Sequence, residues 1–62
     1  MSLPTFEEMR RNAYRLLGDA ADELRSDWRP GAGPASTEQA TARLEALSHI
    51  AAAKAALDRA AR

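Results

Sequence analysis

A short segment near the middle of the chain restricts the fold more than any other feature. Two prolines and two glycines fall within positions 30–34. Proline removes a backbone donor and fixes φ, and glycine favours conformations that helices do not use, so a helix cannot continue through this segment. The residues on either side have helical patterns. The sequence therefore predicts an all-α protein, an antiparallel two-helix hairpin that spans 1–62 as a single domain, with a helix at about 5–29, a loop at 30–35 and a helix at about 36–62.

Two capping motifs support the predicted starts of the helices. Thr5 is followed three residues later by Glu8, and Ser36 is followed three residues later by Gln39. In this motif the hydroxyl accepts a hydrogen bond from the backbone N–H three residues on, and the longer side chain reaches back to a backbone N–H at the cap. Each helix is therefore expected to begin immediately after its hydroxyl residue.

Apolar residues repeat at helical spacing in both predicted helices. In the first helix they form one stripe: Phe6, Met9, Ala13, Leu16, Leu17, Ala20, Leu24 and Trp28. The far face of that helix is predicted to be solvated and contains Arg11, Arg15, Gly18, Asp22 and Arg25. In the second helix, the stripe predicted to face the first helix is Leu44, Leu47, Ile50 and Leu57, with Ala40, Ala51 and Ala61.

A second stripe of the second helix consists almost entirely of alanine. Its members, which we call the alanine seam, are Ala42, Ala46, His49, Ala53, Ala56 and Ala60, at spacings of 4, 3, 4, 3 and 4. Such a heptad pattern is typical of a helix packing face, and one hairpin cannot cover this face itself. Alanine is also the strongest helix former, so helix propensity alone is an equal explanation of the seam.

The small size of the chain favours self-association. A chain of 62 residues obtains only about 3–5 kcal/mol from its own core, and the usual supplements are disulfides, metals or oligomerisation. The sequence has no cysteine, which excludes disulfides and thiolate metal sites. We therefore expect two hairpins to form a four-helix bundle, with a homodimer favoured over larger oligomers. The expected interface is the alanine seam with Tyr14 and Trp28; Arg29 is a further expected contact.

The sequence offers few groups for catalysis or for metal binding. It has one histidine, and Ser48 is adjacent to His49, so the two side chains point about 100° apart around the helix. Glu45 and His49 are four residues apart and can reach one ion, but further ligands at metal-site spacing are missing. A helix-stabilising pair is the favoured interpretation. We therefore predict neither an enzyme nor a cofactor or metal site.

The charge balance gives little attraction for nucleic acid or for a membrane. Nine basic and nine acidic residues give a formal net charge of zero. Arg10, Arg11 and Arg15 are the best candidates for contacting nucleic acid, but acidic residues are interleaved with them. The sequence shows no signal peptide or membrane span, which favours a cytoplasmic location.

These observations favour a non-enzymatic protein–protein interaction or assembly module that acts through a homo-oligomeric helical bundle. A further protein partner remains compatible with this function. The alternative is a small dimeric nucleic-acid-binding regulator that uses Arg10, Arg11 and Arg15.

Overall fold

The computed structural model describes residues 3, 5–26, 31 and 33–61. Within them lie two helices, α1 (Phe6–Leu24) and α2 (Thr37–Arg59), which pack against each other. The N-terminal half of α1 lies beside the C-terminal half of α2, since the Lys54 ammonium lies over the Tyr14 ring. The predicted antiparallel hairpin is confirmed.

Both helices begin where their capping residues predict. The Thr5 hydroxyl accepts from the Glu8 N–H at 3.1 Å, and the Ser36 hydroxyl accepts from the Gln39 N–H at 3.1 Å. The Gln39 side-chain oxygen accepts from the Ala35 N–H at 2.7 Å, one residue before the cap. Each cap contributes roughly 1 kcal/mol by satisfying a backbone donor that has no partner within the helix.

The first helix ends earlier than the expected position 29. Its last residue is Leu24, and the Arg25 N–H is shared between the carbonyls of Ala21 and Asp22, both at 3.1 Å. The buried Ser26 donates its hydroxyl to the Asp22 carbonyl at 3.0 Å, which satisfies an acceptor at the helix end and closes it. Positions 27–29, including Trp28, lie outside the described residues.

The second helix also ends before its expected position. Its last residue is Arg59, and the Ala60 N–H is shared between the carbonyls of Ala56 and Leu57, both at 3.2 Å. Between the helices, Gly31 has a φ of 74°. This left-handed conformation is the one that the glycine-rich loop was expected to supply.

The hairpin is a single layer. Its principal extents are 45 × 23 × 15 Å, and the smallest of them is little more than the diameter of one helix with its side chains. Its radius of gyration is 14.9 Å, against about 11 Å for a compact chain of this length. Among the described residues, only Ala21 and Ser26 are buried. Neither helix has a stretch long and apolar enough to cross a membrane.

Candidate interaction surface

The two helices meet along a face that differs in part from the expected one. Half-buried residues of α1 surround Ala21: Arg10, Ala13, Tyr14, Leu17, Gly18 and Leu24. Half-buried residues of α2 are Ala40, Arg43, Ala46, Leu47, Ile50, Ala53, Lys54 and Leu57. The expected inward positions of Leu17, Leu24, Ala40, Leu47, Ile50 and Leu57 are confirmed.

Several positions do not follow the expected orientation. Gly18 was expected on the solvated face, but it lies against α2, where a methyl group on its Cα would come 4.0 Å from the Lys54 Nζ. The large residues Phe6, Met9, Leu16 and Leu44 were expected to lie between the helices. They are instead 60%, 50%, 57% and 66% exposed, respectively. The alanines Ala20, Ala51 and Ala61, which were expected in the same stripes, are exposed as well.

Two small residues, the half-buried Gly18 and the buried Ala21, lie on one edge of α1. Tyr14 and Lys54 then close this edge, since the ammonium lies 4.8 Å from the ring centroid in a cation–π contact. The stem of Lys54 covers apolar surface while its charge stays at the rim. Tyr14, which was expected at the interface between two hairpins, is half-buried in this contact within one hairpin.

One side of the hairpin is marked by this contact, and we call it the tyrosine side. A shallow hollow runs along it between the helices. It is lined by Tyr14, Ala21, Arg25, Leu47, Ile50, Ala51, Lys54, Ala55 and Asp58. Aromatic, cationic and anionic groups thus occur together on this side.

The opposite side is apolar. An advance of about 100° per residue places one edge of α1 there, formed by Phe6, Met9, Ala13, Leu16 and Ala20. Because the helices are antiparallel and the hollow fixes their tyrosine-side edges, the same geometry places the alanine seam of α2 beside that edge. We call these two rows together the apolar side. Of the alanine seam, Ala46 and Ala53 are half-buried, and Ala42, His49, Ala56 and Ala60 are exposed.

The apolar stripe predicted for α1 combines residues of two different rows. Positions 6, 9, 13, 16 and 20 are spaced 3, 4, 3 and 4 apart, and positions 10, 14, 17, 21 and 24 are spaced 4, 3, 4 and 3 apart. These are two neighbouring heptad rows on one helix. The second row packs inside the hairpin, and the first, apart from the half-buried Ala13, is exposed to solvent.

The arginines proposed for nucleic-acid contact each approach a carboxylate on their own helix. Arg10 donates two hydrogen bonds to Glu7, with Nη2–Oε1 at 2.5 Å and Nε–Oε2 at 2.9 Å. The hydrogen bond from Arg10 lowers the pKa of Glu7, and the Glu7 carboxylate raises the pKa of Arg10. Arg11 lies 3.8 Å from Glu7, and Arg15 lies 3.7 Å from Asp19. This positive charge is therefore balanced locally.

Glu45 and His49 are the two residues that the sequence offered for a shared ion. Glu45 and His49 are both exposed on α2. In the part of the chain that the structure describes, no three His, Asp or Glu side chains come together in a way that could hold a metal ion. Arg29, like Trp28, lies outside the described residues.

The fold and its surface define a two-helix hairpin with one apolar side. No family model, curated protein or solved structure matches the chain. Its function is therefore argued from the geometry of this surface.

Proposed function

We propose that this protein is a non-enzymatic assembly module that associates with itself through the apolar side and forms a dimeric four-helix bundle. The observation that carries the proposal is the row of large side chains at Phe6, Met9 and Leu16, each at least half exposed beside the alanine seam. Domains normally bury apolar surface between two packed layers, and the hairpin supplies only one layer.

The exposed area supports association with a second copy. The chain exposes 5020 Å² to solvent. A folded monomer of its mass, 6.7 kDa, exposes about 3,900 Å². The difference, about 1,100 Å², exceeds the roughly 800 Å² that each partner contributes to a standard protein interface. Covering one side with an identical hairpin would therefore bring the exposed area per chain into the normal range.

The unequal amphipathicity of the helices supports the same proposal. Apolar residues of α1 concentrate on one part of its circumference, whereas those of α2 are distributed almost evenly around it. A helix that is apolar on several faces is normally covered on several faces. In a four-helix bundle each helix has two neighbours, which supplies the second contact that the hairpin lacks.

Sedimentation equilibrium tests the proposal with two matched variants of α2. Ala53 lies at the edge of the apolar side, and Ala55 is exposed on the tyrosine side two residues away. Because both are alanines inside one helix, Ala53→Glu and Ala55→Glu change helix propensity equally. We expect Ala53→Glu to raise the dimer dissociation constant about a hundredfold or more, since it would bury an unpaired carboxylate.

Ala55→Glu is expected to leave that constant within about threefold of wild type, because surface changes usually alter free energies by less than about 0.5 kcal/mol. Equal effects of the two variants would contradict association through the apolar side. Circular dichroism at a concentration where wild type is dimeric serves as the check that both variants remain helical.

A further inference from the structure

On the basis of this self-association, we propose how the second copy is arranged: α1 of one copy packs on α2 of the other. The large side chains of each copy then fit onto the alanine seam of its partner. The two-fold axis of such a dimer runs parallel to the helices.

The two rows of the apolar side differ in the size of their side chains. Its α1 row contains Phe6, Met9 and Leu16, which project as a ridge. Its α2 row contains alanines with one histidine, which form a shallow trough beside that ridge. The apolar side therefore presents a large-residue strip and a small-residue strip of similar length, next to each other.

The register of the hairpin places residues of the two rows at matching heights. The Lys54 ammonium lies 4.8 Å from the centroid of the Tyr14 ring and 4.0 Å from the position of a Cβ on Gly18, and the Asp58 carboxylate contributes to raising the pKa of Arg10. The same register places Leu16 level with Ala53, and it places Met9 level with Ala60. Ridge residues and trough residues thus occur at the same heights along the hairpin.

Two two-fold arrangements can stack the apolar sides face to face, and both are isologous. With the axis across the helices, α1 meets α1 and α2 meets α2. Large residues then oppose large ones and alanines oppose alanines, which leaves a wedge between the hairpins. With the axis along the helices, α1 of each copy meets α2 of the other. Each residue then keeps its position along the helix direction in both copies.

Uniform packing favours the second arrangement. Protein cores reach crystal-like density by placing large side chains opposite small ones. Leu16 then packs on Ala53 of the partner subunit, and Met9 packs on Ala60 of the partner subunit. All neighbouring helices of the resulting bundle run antiparallel, as in the up-and-down bundles.

Cysteine cross-linking tests this arrangement, and the natural sequence has no cysteine to interfere. The variants Leu16→Cys and Ala53→Cys are prepared as separate chains and oxidised, each alone and as an equal mixture. The products are separated without reductant, and mass spectrometry identifies the disulfide dimers. We expect the mixture to give at least about tenfold more disulfide dimer than either chain alone, because like cysteines would lie diagonally across the bundle, beyond the roughly 7 Å limit between Cα atoms.

A second pair and a control keep the test independent of one substitution. Met9→Cys with Ala60→Cys is expected to cross-link in the same way at the other height. Leu44→Cys with Ala53→Cys is the control and is expected not to cross-link, since Leu44 lies on the other side of α2. Sedimentation of the reduced variants, unmixed, establishes that each is still a dimer.

The outcomes separate the arrangement from the self-association. A dimer whose mixed pairs do not cross-link, or whose like cysteines cross-link as well as the mixed ones, would overturn the arrangement alone. A wild type that sediments as a monomer at every concentration would overturn the arrangement together with the proposed function.

Discussion

The two sides of this hairpin differ in how much of their surface is covered by the chain's own side chains. On the tyrosine side, the chain covers itself: Lys54 lies over Tyr14, and Arg10 is held by Glu7. On the apolar side, Phe6, Met9 and Leu16 remain at least half exposed next to the alanine seam. The comparison shows that a short hairpin can cover much of one side with charged and aromatic groups and leave large apolar side chains exposed on the other, the side that the proposed dimer would cover.

The largest expected effect comes from placing a charge on the ridge of α1. Leu16→Glu is expected to weaken the dimer by about a hundredfold or more, since an unpaired carboxylate would be buried against apolar surface. The matched control is Leu44→Glu, which removes an equally large side chain of similar exposure, 66% against 57%, from the other side. Concentration-dependent light scattering measures both. Dissociation by the Leu44 variant alone would reverse the assignment of the sides.

Removing the charge on the tyrosine side is expected to affect the hairpin and spare the dimer contact. Lys54→Met keeps most of the covering stem and removes the ammonium over Tyr14. A double-mutant cycle with Tyr14→Leu, measured by urea unfolding, is expected to give a coupling of about 0.5–1 kcal/mol. A coupling indistinguishable from zero would mean that the ring and the ammonium contribute only through their burial.

Filling the gap at Gly18 is expected to stabilise the protein. Gly18→Ala should raise the free energy of unfolding by up to about 1 kcal/mol, because alanine is the better helix former. The added methyl group would make only an ordinary contact with Lys54. Thermal unfolding measures the change at fixed protein concentration. Destabilisation would show that the helices approach more closely at Gly18 than the structure describes.

The smallest expected effect concerns the ion pair at the start of α1. Because Arg10 lowers the pKa of Glu7, the ionised carboxylate favours the folded state. This contribution is present above the pKa of Glu7 in the unfolded chain, and it is lost as the pH falls through the lower pKa of the folded protein. NMR titration is expected to show the pKa of Glu7 rising towards its ordinary value in Arg10→Gln. An unchanged Glu7 titration would argue against the hydrogen bond.

Local features of the sequence predicted the hairpin well. A Pro- and Gly-rich loop and two capping residues each act within a few positions, so Thr5 and Ser36 locate the helix starts without knowledge of the packing. The end of α1 was less predictable, because the Ser26 hydroxyl closes the helix from a position that the apolar stripe passes through.

The orientation of the helices was the harder part of the prediction. Apolar spacing identifies which residues avoid water, but α1 has two adjacent heptad rows, and spacing alone does not decide which row packs inside. In the structure, the row that contains the buried Ala21 is the one that packs against α2. Apolar spacing alone therefore predicted that Leu16 and Leu44 face inward, and both are exposed.

The most direct test of the central claim is the mass of the wild-type protein in solution, measured by sedimentation equilibrium across a wide range of concentrations with helicity recorded in parallel. We predict a species of twice 6.7 kDa that dissociates on dilution, with helicity falling over the same range. A fully helical monomer of 6.7 kDa at every concentration would contradict the claim that the apolar side is covered by a second copy.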